Sequence, residues 1–194
     1  MVTNQQSGKA LWIVLGVIVL LIIIVASSVI GGYNKAVRLD EGVKNAWAQV
    51  EGLLTRRYDL IPNLVETVKG YAGHEKELFE NIAQARTQYF NAKGVGDKAQ
   101  AAGMLDGALS RLLLLQERYP ELKANEGFLK LQDQLEGTEN RIAVARMRYN
   151  DAVRDLNAYS RGFIGRFYCN MAGVTTVEYY DAPKEHEAAP QVQF

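Results

Sequence analysis

Residues 10–30 read ALWIVLGVIVLLIIIVASSVI, with no charge and only Ser27 and Ser28 as polar side chains. Such a run has no place on the surface of a water-soluble domain. Coiled into a helix it covers the roughly 30 Å hydrocarbon core of a bilayer and satisfies its own backbone hydrogen bonds there. Trp12 and Tyr33 bracket it as interfacial anchors. A cleaved signal peptide is the rival reading, but the apolar run exceeds the usual ~7–15 residues of such segments, so a retained single span is expected. Lys9 precedes the span, whereas Lys35, Arg38 and Lys44 follow it. The bias of basic residues toward the inner side places the C-terminal part in the cytoplasm.

Beyond the span the pattern is helical. Val43, Trp47, Val50, Leu54, Arg57, Ile61, Leu64, Val68 and Tyr71 alternate spacings of four and three, a heptad seam interrupted by one arginine. This predicts a helix over about 34–72. A second helix uses Leu78, Ile82, Ala85 and Tyr89. Asp97 is placed to cap a third, whose inner face carries Met104, Ala108, Leu112 and Leu115. After the break at Pro120 a fourth runs from about 126 to 161, with Phe128, Leu135, Ile142, Tyr149, Leu156 and Tyr159 in phase. Short connections make successive helices antiparallel. The fold class is all-α: an N-terminal transmembrane helix, then an up-down bundle of two long and two short helices. The expected segments are a polar N-terminus (1–9), the span (10–32), the bundle (33–162) and a juxtamembrane apolar stretch with a mobile acidic tail (163–194).

Helix lengths set a further expectation. At 1.5 Å per residue the first and fourth helices reach about 57 and 53 Å, the middle pair about 30 Å each. The membrane-proximal seams then lack partners in one chain unless the third helix or the C-terminal segment covers them. Val43, Trp47, Val50, Leu54, Tyr149 and Leu156 are accordingly the candidates for contact between copies of the chain. The stretch GFIGRFYCNMAG (162–173) returns to the membrane side. Phe163, Ile164, Phe167, Tyr168 and Met171 are candidates to face lipid there, with packing on the bundle base as the alternative.

The polar interruption RRYDLIPN (56–63) is the place to look for chemistry. Asp59, Glu66, His74 and Glu77 supply carboxylates and an imidazole, the raw material of a metal-dependent or catalytic centre. However, a di-iron bundle needs Glu-x-x-His pairs on two helices, and the only other histidine is His186. Cys169 is the sole cysteine, and no HExxH or phosphate-binding loop occurs. No catalytic, cofactor or metal site is expected, and the chain reads as no enzyme. With 22 basic and 22 acidic residues, nothing favours nucleic acid. Counting back from the distal turn sets Arg57 opposite Glu139 and Asn63 opposite Asn140. Pro62 removes the helical donor to the Tyr58 carbonyl. Arg57, Asp59, Pro62, Asn63, Glu139 and Asn140 are therefore read as a polar cluster that fixes helix register.

Two blocks carry a resemblance: AWAQVEGLLTRRYDLIPNLVETVKGYAGHE (46–75) and YPELKANEGFLKLQDQLEGTENRIAVARMRYNDAVRDLNA (119–158). With the YN at 33–34 and the terminal VQF, the chain resembles the LemA family. The resemblance implies a single-span bacterial membrane protein with a helical bundle, and carries over no catalytic residue. The segment RGFIGRFYCNMAGVTT (161–176) departs from the family pattern in having no proline. The function expected is a membrane-anchored scaffold or adaptor, self-associating, that presents helical surfaces to other membrane proteins. Membrane remodelling by the C-terminal apolar segment is a narrower alternative.

Overall fold

The computed structural model describes residues 5–180, with side chains from Trp12 onward. Residues 1–4 of the polar N-terminus, and 181–194 of the tail with His186, lie outside them. The described residues form seven helices and no strand: α1 (Gln5–Tyr58), α2 (Ile61–Ala72), α3 (Lys76–Asn91), α4 (Val95–Arg118), α5 (Pro120–Lys123), α6 (Glu126–Arg161) and α7 (Phe163–Ala172). They group into two compact units that interleave in sequence. Of the described residues, one takes 5–42 and Arg154–Thr176, the other Val43–Val153 and 177–180.

In the first unit, every large apolar side chain of α1 from Trp12 to Val25 is exposed. This is the one helix among the described residues long and apolar enough to cross a membrane. A stripe of that size facing water would be untenable, and facing lipid it is stable. From Val29 the helix gains a packed side: Gly32 is half-buried and Ala36 fully buried. The partners are the end of α6 and α7. Gly173 closes α7 in the left-handed conformation, with Val174 N–H bonded to the Cys169 carbonyl at 2.9 Å.

The second unit is the bundle. Its core draws Val43, Val50, Leu54 and Tyr58 from α1, Leu64 and Val68 from α2, and Ile82 and Tyr89 from α3. Leu105, Leu109 and Leu112 of α4 and Phe128, Leu135, Ile142 and Tyr149 of α6 complete it. Each such side chain contributes on the order of 1.5–3 kcal/mol of burial. Asn125 caps α6, its Oδ1 accepting from the Phe128 N–H at 2.8 Å.

Four expectations need correction. The helix over 34–72 is two helices: α1 ends at Tyr58 and α2 restarts at Ile61, with Pro62 in the first turn, where its missing N–H takes no bond from α2 itself. Asp97 lies inside the first turn of α4 and caps nothing; Gly94 occupies the cap position. Met104 is 48% exposed, and the inner face of α4 runs instead through Ala102, Leu105, Leu109 and Leu112. Finally, Val43, Val50, Leu54, Tyr149 and Leu156 are at most 4% exposed in the single chain, so they are core and not surface awaiting a second copy.

Part of what covers Tyr149 is the C-terminal segment. Tyr180 is buried in the bundle unit, its ring 6.2 Å from Trp47, which in turn lies 5.4 Å from Tyr149. The Asn150 side chain holds the Tyr180 backbone at both groups, accepting from its N–H at 2.8 Å and donating to its carbonyl at 3.1 Å. The Tyr149 hydroxyl donates to the Glu178 carbonyl at 2.8 Å. Asn150→Ala removes two of these bonds and is expected to cost about 1–2 kcal/mol. Limited proteolysis should then cleave near residues 177–180 several-fold faster than in wild type; an unchanged rate would mean that the aromatic contacts alone hold the strap.

Candidate functional site

The polar cluster lies wholly in the bundle unit. Arg57, on the last turn of α1, pairs through Nη1 with Glu139 of α6, and its Nε is 3.6 Å from Asp106 Oδ1 of α4. Asp106 also takes Arg146 of α6, at 3.8 Å to Oδ2, and the Tyr58 hydroxyl, which donates to Oδ1 at 3.3 Å. The Arg146 guanidinium stacks 4.6 Å above the Tyr180 ring. Arg57, Asp106, Glu139, Arg146 and Tyr180 line a recess of about 360 Å³. Three helices and the strap are thus tied to one aspartate.

Sequence reasoning named Arg57 and Glu139 but missed Asp106 and Arg146. A signal was present: Ala102, Asp106 and Leu109 fall at helical spacing on α4, and a lone acid on an apolar face calls for a base opposite.

The remaining residues expected in the cluster are placed differently. Asn63 and Asn140 are both exposed, and no hydrogen bond joins them. Asp59, in the turn between α1 and α2, is 3.6 Å from Arg86 Nη2 of α3. Arg86 Nε also donates to the Tyr58 carbonyl at 3.4 Å, the group that Pro62 leaves without its helical donor. Glu66 pairs with Lys69 at 3.0 Å, and His74 and Glu77 are exposed around the α2–α3 turn. Among the described residues no three His, Cys, Asp or Glu side chains converge as metal ligands.

Around the cluster the tyrosines are poorly solvated. Burial, reinforced by the adjacent Asp106, pushes the Tyr58 phenol far above its ordinary range. Burial raises Tyr89 to about 12, and burial with the nearby Glu178 raises Tyr149 to about 12. A phenol whose folded pKa exceeds its unfolded value near 10 stabilises the fold fully below pH 10, and that stability is lost as pH climbs toward 12. The denaturation midpoint is therefore expected to hold to about pH 9 and fall between about 10 and 12. A midpoint unchanged up to about pH 12 would show these rings to be solvated.

The first unit offers a different surface. Phe163 is 96% exposed, and Ile164, Phe167 and Met171 are exposed beside it. Tyr168, expected to face lipid, is buried: its hydroxyl is hydrogen-bonded to Ser28 Oγ at 3.1 Å and its ring lies on Gly32. Tyr159 of α6 donates to the Gly32 carbonyl at 3.1 Å, with Lys35 Nζ 4.7 Å above its ring.

An apolar lipid-facing helix continuing into an all-α bundle defines a helical membrane protein. Its sequence assigns it further: the profile of the LemA family matches residues 46–194, and the chain belongs to that family. Among relatives, it is 25% identical to magnetosome protein MamQ 2 of Paramagnetospirillum magneticum, over 76% of this chain and 64% of that protein. It is 23% identical to magnetosome protein MamQ of Magnetospirillum gryphiswaldense, over 87% and 71% of the two chains. A third relative, protein LemA of Metamycoplasma hominis, is 23% identical over 66% and 59%. The chain thus spans less than two thirds of the length of the first and third of these.

Proposed function

We propose that this protein is a membrane-tethered scaffold that presents its helical bundle to other membrane proteins or to further copies of itself, with the bundle on the cytoplasmic side. The observation that carries the reading is how the bundle spends its charges: Arg57, Asp106, Glu139 and Arg146 face one another across three helices. Such a network fixes alignment, which a presenting surface needs. The magnetosome relatives support a role at a bacterial membrane, and the excess of Lys35, Arg38 and Lys44 over Lys9 supports the cytoplasmic side.

Since the seam residues are core, docking falls to the outer faces. Leu114 on α4 and Met147 on α6 are each 58% exposed and suit a photo-crosslinking side chain. After irradiation in cells and extraction in mild detergent, adducts to defined membrane proteins or to a second copy are expected from these positions, and none from buried Leu135. Recovery of single chains alone, by mass and without adducts, would overturn the scaffold reading. Stoichiometric iron, manganese or zinc in the purified protein would favour the metal-dependent alternative.

A further inference from the structure

We propose that α7 is a membrane-surface element that embeds its apolar face in one leaflet and holds anionic phospholipid headgroups with Arg161 and Arg166. The proposal rests on α1 being the membrane span. Three observations within the first unit carry it.

The helix has three distinct sides. Gly165, Tyr168 and Cys169 are buried. Phe163, Ile164, Phe167 and Met171 form an exposed apolar side at spacings of one, three and four residues. Arg166 and Asn170 lie between the two, both exposed. At ten residues α7 is about 15 Å long, too short to cross a bilayer. A short helix with such sides is stable lying in the plane of an interface.

Its depth is set by its partners. Tyr168 bonds Ser28 and packs on Gly32, at the end of the uncharged run. Ser28 lies roughly 10 Å along α1 from Lys35, the first charge beyond the span. Tyr33 and Ile30 of α1 are themselves exposed here. The apolar side of α7 is therefore seated where acyl chains give way to headgroups, the level favoured by aromatic residues.

The charges indicate which lipid. Arg161, Phe163, Ile164, Arg166 and Phe167 line an open groove of about 620 Å³. Among the described residues neither arginine has an ion pair, and no acidic side chain lines the groove. Two guanidiniums above a bed of phenylalanine suit phosphate oxygens above acyl chains. A protein partner would bury the same apolar side, but only a bilayer is already fixed at this depth by α1.

The test uses the full chain in vesicles, with Cys169→Ala removing the native thiol. An environment-sensitive fluorophore is attached at Phe163→Cys, Phe167→Cys or, as a control on the bundle surface, Ser110→Cys. Flotation first shows whether the chain is membrane-bound; a chain that does not float refutes the span itself, and the proposal with it. In floated protein, lipids brominated near the headgroup should quench the 163 and 167 labels several-fold more than the 110 label. The difference should grow in phosphatidylglycerol vesicles over phosphatidylcholine, and the growth should vanish with Arg161→Gln plus Arg166→Gln. Labels at 163 and 167 quenched no more than at 110 would overturn the insertion of α7. Equal quenching in both lipids, or no effect of the glutamines, would overturn recognition of anionic headgroups. Protection from brominated lipid together with energy transfer between copies would show a second chain on this face, and also overturn the proposal.

Discussion

Asp106→Ala is expected to lower the unfolding free energy by about 3–5 kcal/mol, more than any other single charge removal in the bundle. Asp106 is the common partner of Arg57, Arg146 and the Tyr58 hydroxyl, and the Arg57 side chain is only 13% exposed. Removing the carboxylate leaves two guanidiniums close together with one counter-charge, Glu139. The contrast is with Glu139→Ala. Its side chain is 51% exposed, so water already screens the pair and the loss should stay within about 0–1 kcal/mol. Asp106→Asn keeps the shape and the acceptor for Tyr58 but loses the charge, and should fall between them. Thermal and denaturant unfolding of the detergent-solubilised chain, followed by helix signal, ranks the three. Equal effects at Asp106 and Glu139 would mean that the cluster is solvated and contributes little to alignment.

How far the sequence disclosed this arrangement follows from the composition of each helix. The seams of α1 and α6 were legible because large apolar residues at positions such as Leu54 and Ile142 alternate with charges, which leaves one phase available. The ion pair of Arg57 with Glu139 followed from counting along two such helices from their shared turn. The fourfold run Leu112–Leu113–Leu114–Leu115 in α4 fits several phases, so the inner face was set in the wrong phase and Asp106 fell outside it. Pro62 announced an interruption, but a bend and a helix restart leave the same sequence signature; the choice depends on whether a donor such as Arg86 is at hand for the Tyr58 carbonyl. The C-terminal segment was an open alternative as cover, but the strap at Glu178–Tyr180 could not be placed. Its hydrogen bonds to Asn150 and Tyr149 run through its own backbone, which writes nothing into side-chain periodicity, and Tyr180 is a single aromatic contact.

Gly165→Ala is expected to undock α7, and the chain carries its own reporter. A Cβ built at Gly165 would lie 1.9 Å from the carbonyl oxygen of Tyr159. That oxygen belongs to the last turn of α6, so no side-chain rotation relieves the clash and α7 must move as a body. Such overpacking costs about 1–3 kcal/mol. Cys169, on the buried side of α7, is 1% exposed, and burial, with Asp40 adding to it, raises its thiol above the ordinary range. In wild type the only thiol of the chain should thus react slowly with a water-soluble maleimide. If labelling proceeds through undocking, 1–3 kcal/mol corresponds to a rate increase of roughly 5- to 150-fold in Gly165→Ala. Phe163→Ser is the control: that side chain is 96% exposed and supports nothing inside the protein, so in detergent it should leave the thiol as slow as in wild type. Fast labelling in wild type would mean that α7 is not held by Tyr168 and Gly165 at all. Slow labelling in both wild type and Gly165→Ala would mean that the turn at Gly162 yields enough to keep α7 in place.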